Sequence, residues 1–248
     1  MNWHKDTVFM KSVKLNEAFI GQMTLTEMRI IQMAMVDLCR SSDAGDDRKR
    51  VVKIHSTQYR HHYGVLRGGA CAALRASVNI KEREFSFKDS PNLSNKWVDS
   101  ISYAENEGVL SLVFSDEVLN EIPHRCNVNA IDKYVTLDLT DTAKFSSMFA
   151  MRLFEILMQW KGLPVSPAYL TKDLRQMMGA SASKYPRNTD FKRVAIARPL
   201  EVINKTLGWS MSMQLKKKGR VVDSITFLFD SPISNTQNQH QTQETKHE

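Results

Sequence analysis

Apolar residues recur at helical spacing over residues 24–40, with Met28, Ile31, Met35 and Leu38 on one side, and Thr24 with Glu27 fits a capping box, so a first long helix is expected there. The polar run 41–47 predicts a loop. Val51 to Ile54 reads as a short strand leading into a short helix over 56–64 that glycine closes. A second helix is expected over 69–83, with Ala72, Ala73, Leu74, Ala76 and Val78 on its buried side. Two alternating runs, 96–103 and 109–114, flank Ala104-Glu-Asn-Glu-Gly108 and predict a β-hairpin.

The same order of elements returns downstream. A long helix over 142–161 would turn Phe145, Phe149, Leu153, Ile156, Leu157 and Trp160 inward, and Gly162 with Pro164 would end it. Ser166 and Pro167 read as an N-cap and first helical residue, opening a short helix with Leu170, Leu174, Met177 and Met178 inward and Gly179 as its stop. A further helix over 190–205 precedes a hairpin formed by 211–215 and 221–229, and Pro199 should kink or divide that helix.

Helix, then helix-turn-helix, then hairpin, twice over, predicts an α+β fold of two tandem winged helix-turn-helix domains related by a pseudo-repeat. The expected bounds are 1–130 and 131–230, joined near 130–141, with 231–248 a polar disordered tail that cannot bury a core. In such a domain the second helix of the pair enters the major groove of DNA and the hairpin, or wing, grips the flanking backbone.

Charge sharpens that expectation. Residues 144–220 carry 15 Lys and Arg against Glu155, Asp173, Asp190 and Glu201, a net of +11, although the whole chain has only +7. Basicity confined to one region raises a local field for polyanions. Phe191, Ala195, Leu200 and Ile203 would pack inward, leaving Lys192, Arg193 and Arg198 outward on the recognition helix. Arg193 is the candidate for guanine, and Lys184 and Arg187 just ahead of the helix are candidates for phosphate. The second wing offers Lys216, Lys217, Lys218 and Arg220 at its tip, also for phosphate. The first wing instead carries Glu105 and Glu107, which phosphate would repel, so protein contacts are expected of it. In the first domain Arg67, Arg75, Lys81 and Arg83 are the candidates, and a solvated helix face explains them nearly as well. Arg152 and Glu155, three apart, read as a structural ion pair.

Other chemistries find little support. No Gly-Lys dipeptide occurs, so no phosphate-binding P-loop and no ATP hydrolysis is expected. His61-His62-Tyr63 raises a nicking enzyme, in which a histidine metal pair serves a tyrosine nucleophile, but adjacent histidines on a short helix point apart. His4, His55 and His124 lack companions at metal spacing, so no catalytic residue, metal or cofactor is expected. Cys39, Cys71 and Cys126 are widely spaced, as free thiols in a reducing compartment are. With no apolar run long enough to span a membrane and no secretory h-region, a cytoplasmic protein without a membrane partner is expected.

Several of these segments resemble a known family. Residues 13–37, with Leu15-Asn-Glu-Ala18 and Leu25-Thr-Glu-Met-Arg-Ile-Ile31, are similar to the opening of the iteron-type plasmid replication initiators, the Rep proteins. Lys144-Phe-Ser-Ser-Met-Phe-Ala-Met-Arg-Leu-Phe-Glu-Ile-Leu157, Tyr185, Asp190-Phe-Lys-Arg193, Pro199-Leu-Glu-Val-Ile-Asn204, Lys218-Gly-Arg220 and Ile225-Thr-Phe227 follow that family's second domain in order and spacing. The resemblance implies binding to direct repeats of double-stranded origin DNA, help in opening the origin, and recruitment of the host initiator and replicative helicase. It also implies a monomer–dimer equilibrium, with repression of the protein's own gene. A transcriptional repressor of the same fold without a replication role needs the same surface.

Overall fold

A computed structural model of the chain describes residues 7–40, 51–123 and 133–230. The loop expected at 41–47, the tail 231–248, residues 130–132 of the expected junction, and His4, His124 and Cys126 lie outside the described residues. The first strand, β1 (Val8–Ser12), is one that the sequence pattern does not announce; it is followed by one turn of helix, α1 (Val13–Asn16), and a two-residue strand, β2 (Phe19–Ile20). The capping box then closes as expected. The Glu27 N–H donates to Thr24 Oγ1 at 3.2 Å and the Thr24 N–H to Glu27 Oε2 at 2.7 Å, and α2 (Leu25–Arg40) runs from that cap.

Next, β3 (Val52–His55) leads into α3 (Ser56–Tyr63), which ends at Gly64 with φ 63°. The recognition helix of the first domain, α4 (Arg67–Ala76), tightens into a 3-10 stretch, Ser77–Glu82. Its inward side is Ala70, Leu74, Ser77 and Ile80, at spacings of four and three. Ala72 and Ala76, expected inside, are exposed, because Leu74 and Ile80 fix the rotation of the helix and small alanines cost little in water. Then β4 (Glu84–Ser86) and β5 (Asn95–Lys96) extend a small sheet with β2, and β6 (Val98–Ala104) with β7 (Val109–Phe114) forms the first wing. A turn of helix, α5 (Asp116–Leu119), closes this half.

The expected junction contains β8 (Tyr134–Asp138), which pairs antiparallel with β1 from Val8↔Asp138 to Ser12↔Tyr134. The long helix expected over 142–161 is in fact two pieces, α6 (Leu139–Thr142) and α7 (Met148–Met158). Arg29 of α2 donates Nη2 to the Phe145 carbonyl at 3.0 Å, inside the interruption. The N-cap expected at Ser166 does not form either. Ser166 instead exchanges two hydrogen bonds of 2.9 Å with the Phe227 backbone, and the helix α8 (Thr171–Met177) starts only after β9 (Tyr169–Leu170). Leu170 is therefore 40% exposed, whereas Leu174, Met177 and Met178 are fully buried as expected.

The second recognition helix is a continuous path of α9 (Asn188–Phe191), a π-helical stretch Lys192–Ala197, and α10 (Arg198–Leu207). Pro199 shows itself in that stretch, not as a break: turns widened just ahead of the proline relieve the clash of its ring with the preceding carbonyl. Finally β10 (Met211–Lys218) and β11 (Val221–Phe229) form the second wing. The pseudo-repeat extends to topology. In each domain a short strand ahead of the helix pair joins the second strand of the wing, giving orders β3-β7-β6 and β9-β11-β10.

A buried polar network ties the two halves at α7. Arg152 and Glu155, each 1% exposed, pair at 2.9 Å. The Arg152 guanidinium also donates to the carbonyls of Asn16 at 2.8 Å and Ala18 at 3.1 Å on one side and of Met177 at 2.8 Å on the other. Glu155 accepts from Gln32 at 2.8 Å and from Lys11 at 3.0 Å. Burial alone would raise the Glu155 pKa, but the Lys11 and Arg152 charges overcome it and hold the carboxyl below its ordinary value. Nearby, Gly179 with φ +62° sits so close to the Gly21 carbonyl that a Cβ would lie 2.7 Å from that oxygen.

Candidate nucleic-acid interface

The second recognition helix is held from beneath by Phe191, Ala195, Ile196, Leu200 and Ile203, all buried. That fixes which residues face out. Arg193 and Arg198 are exposed and Lys192 is half-buried, while Lys184 and Arg187 are exposed just ahead of the helix. Arg193 Nη2 rests on Asp190 Oδ1 at 3.2 Å, one turn earlier, and Lys184 Nζ lies 5.8 Å from the Tyr185 ring. In the wing, a two-residue loop joins Lys218 to Val221, with Gly219 at φ +64°, a conformation side chains disfavour. A register shift between Lys216 and Lys217 re-aims the side chains next to that loop. Lys216, Lys217, Lys218 and Arg220 are all exposed.

Among the described residues, Lys184, Arg187, Lys192, Arg198, Lys216, Lys217, Lys218 and Arg220 enter no ion pair. Eight uncompensated cations on one helix, its approach and one wing favour a polyanion.

Arg175 was not singled out by sequence reasoning. From α8 it donates Nη1 to the Tyr185 carbonyl at 2.7 Å and Nη2 to Asn188 Oδ1 at 2.8 Å, and it stacks 4.5 Å from the Phe191 ring centroid. It thereby fixes the loop and first turn that carry Lys184 and Arg187. The available signal was an arginine next to a buried Leu174 and ahead of a basic loop, too general to assign a role.

The first domain is built otherwise, because most of its cations are spent internally. Arg83, a sequence candidate, is bound to the buried Glu27 at 2.8 Å and so serves the base of α2. Lys96 holds Glu84 at 2.8 Å and Lys14 holds Asp89 at 3.2 Å. Arg67 and Lys81 are exposed. Arg75, exposed on α4, grips Glu105 at the tip of the first wing through Nε and Nη2. Glu105 thus engages the recognition helix of its own domain. Tyr63, raised above as a nucleophile, packs its ring 4.3 Å from the Arg29 guanidinium, and burial raises its pKa, the reverse of what a nucleophile needs.

Comparison with known proteins agrees with this architecture. A family model described as initiator replication protein, WH1, matches residues 8–158, and one described as initiator Rep protein, WH2, matches residues 171–229. Among solved structures, the Pi initiator protein in complex with iteron DNA aligns over 91% of this chain and 97% of its own, at 21% identity and a TM-score of 0.70. The WH1 domain of MSBI1.176, a replication protein isolated from a multiple sclerosis patient, aligns over 39% of this chain and 77% of its own, at 22% identity and a TM-score of 0.33. No helix among the described residues is long and apolar enough to cross a membrane. With two winged-helix domains in tandem, each matched by its own model, the chain belongs to the initiator replication protein family.

Proposed function

We propose that the chain initiates plasmid replication by binding direct repeats of double-stranded DNA at an origin, acting through binding and not through catalysis. The observation that carries this is the set of eight cations on the second recognition helix, its approach and its wing that enter no ion pair among the described residues, beside a first domain whose Arg83 and Lys96 are ion-paired internally. In this reading Arg193 contacts a base edge, and Lys184, Arg187, Lys216, Lys217, Lys218 and Arg220 contact phosphates. Lys192 and Arg198 flank the base contact, and Arg67 and Lys81 place the first domain on the same duplex. The Pi initiator, which shares the fold, is seen in complex with iteron DNA, in keeping with repeats as the target. Opening of an adjacent AT-rich tract, recruitment of host initiator and helicase, and repression of the protein's own gene by a dimer complete the proposal.

Titrating salt against affinity for an origin fragment tests the binding step. If about six to eight phosphates are neutralised, log K should fall against log salt with a slope of about −5 to −7. A slope near zero removes the assignment. Initiator and repressor are separated by cloning the gene with its flanking DNA as the sole replicon: replication that depends on tandem repeats supports initiation, whereas gene repression at a lone palindrome without replication supports the second reading.

A further inference from the structure

An acidic residue at the tip of a wing is out of place in a DNA-binding domain, yet both oxygens of the Glu105 carboxylate are held by Arg75. It accepts from Arg75 Nε at 3.0 Å and from Nη2 on its other oxygen. A guanidinium carries five N–H donors in a planar fork. Glu105 takes the side edge, Nε with one hydrogen of Nη2. The end edge, one hydrogen of Nη1 beside the second of Nη2, makes no hydrogen bond to a described residue. Arg75 is 57% exposed on the recognition helix, between the small exposed residues Ala72 and Ala76, and Tyr103 lies under it at 5.9 Å. The carboxylate therefore anchors the guanidinium without occupying the edge that recognises a guanine.

We infer that Glu105 is a positioning residue for base reading by the first domain: it clamps the side edge of Arg75 so that the end edge is presented to O6 and N7 of a guanine in the major groove. This rests on the DNA-binding function proposed above. The chemistry requires two parallel donors at that edge, which matches guanine and no other base. Clamping a long, flexible arginine before DNA arrives lowers the ordering cost on binding. The charge of Glu105 opposes phosphate but is already neutralised by Arg75, so of the two acidic residues at the wing tip only Glu107 is left to repel a duplex.

The test uses the full chain and a duplex of about 30 bp that the unaltered protein selects from a randomised pool, long enough for two recognition helices. Each guanine is replaced in turn by 7-deazaguanine, which lacks N7, and a scrambled duplex reports unspecific binding. One guanine is expected whose replacement weakens the unaltered protein by roughly tenfold and leaves Arg75→Ala unaffected. In Glu105→Gln the penalty at that position should shrink to about threefold or less, as the arginine loses its clamp. Affinity of that variant for scrambled DNA should rise with removal of a negative charge. Adding Glu105→Gln to Arg75→Ala should change both duplexes by the same factor. Both residues are exposed, so circular dichroism should find all variants folded.

If Glu105→Gln strengthens both duplexes equally and keeps the full penalty, Glu105 merely repels DNA and the inference is overturned. Equal losses on both duplexes with Arg75→Ala, and a salt slope shallower by about 1, would put Arg75 on a phosphate and overturn it too. In either case discrimination lost in Arg193→Ala would leave the DNA-binding function standing. A pool that yields no preferred duplex removes both.

Discussion

Replacing Arg152 by methionine tests how the two winged-helix domains are held together. The substitution keeps the apolar stem of the side chain but removes the guanidinium and its four hydrogen bonds at a site that is 1% exposed. Glu155 does not lose every partner, since Lys11 remains at 3.0 Å and Gln32 at 2.8 Å. The loss therefore falls chiefly on the carbonyls of Asn16, Ala18 and Met177, at about 1 to 2 kcal/mol each for a buried acceptor deprived of its donor. That sums to about 4 kcal/mol, within the range of about 3 to 5 kcal/mol seen when a buried ion pair is broken. With a urea m value of about 3 kcal/mol/M, the unfolding midpoint should move down by roughly 1.3 M at constant m. Arg152→Lys keeps the charge, but one ammonium cannot span acceptors on both sides of α7, so it should recover less than half of the loss. A midpoint shift under about 0.3 M for the methionine variant would refute the view of Arg152 as the tie.

Further outcomes are expected elsewhere. Arg193→Ala should cost about 1 to 3 kcal/mol on the specific duplex and little on a scrambled one, whereas Lys217→Ala should weaken both alike and flatten the salt slope; exchanged phenotypes would show that the wing reads bases. Gly179 and Gly208 share nearly the same backbone, φ +62° and +66°, but a Cβ at Gly179 would lie 2.7 Å from the Gly21 carbonyl and one at Gly208 would meet nothing within 4 Å. Gly208→Ala should thus cost about 1 kcal/mol from backbone strain and Gly179→Ala at least about 2 kcal/mol, and equal thermal shifts would contradict the close approach. Burial holds the Lys11 pKa down to about 8 from its ordinary value of 10.5, an effect the Glu155 charge partly offsets. Between those values the unfolded chain binds the additional proton, so this residue should make stability rise with pH by up to about 3 kcal/mol across the window. Lys11→Met should remove that rise, which urea melts at pH 7.5 and about 10.5 would show.

Hydrophobic periodicity and punctuation were enough for the two helix-turn-helix units and their wings, because those elements bury one face each and end at glycines such as Gly64 and Gly179. The failures have a common cause. β1, β2, β8 and β9 are short strands, two of them of two residues, and their partners are distant in sequence, so no local pattern marks them. The interruption ahead of α7 lies beside a contact from Arg29 more than a hundred residues away. In the candidate interface, exposed basic residues were legible as composition, but their pairing was not. Arg75 and Arg83 look alike in sequence, yet one is clamped at a wing tip and the other, half-buried, is bound to the buried Glu27 at the base of α2. Glu105 was legible as a charge that repels phosphate, and its role toward Arg75 depends on where the wing folds.

The most direct test of the account is a footprint of the full chain on DNA carrying a single copy of its target repeat. Two recognition helices held by the Arg152 network cannot separate, so one bound chain should protect a continuous stretch with two major-groove centres about one helical turn, or roughly 10 bp, apart. Protection of a single groove by the intact chain, or none at all on repeats beside its own gene, would contradict the claim that this is a two-domain reader of origin DNA.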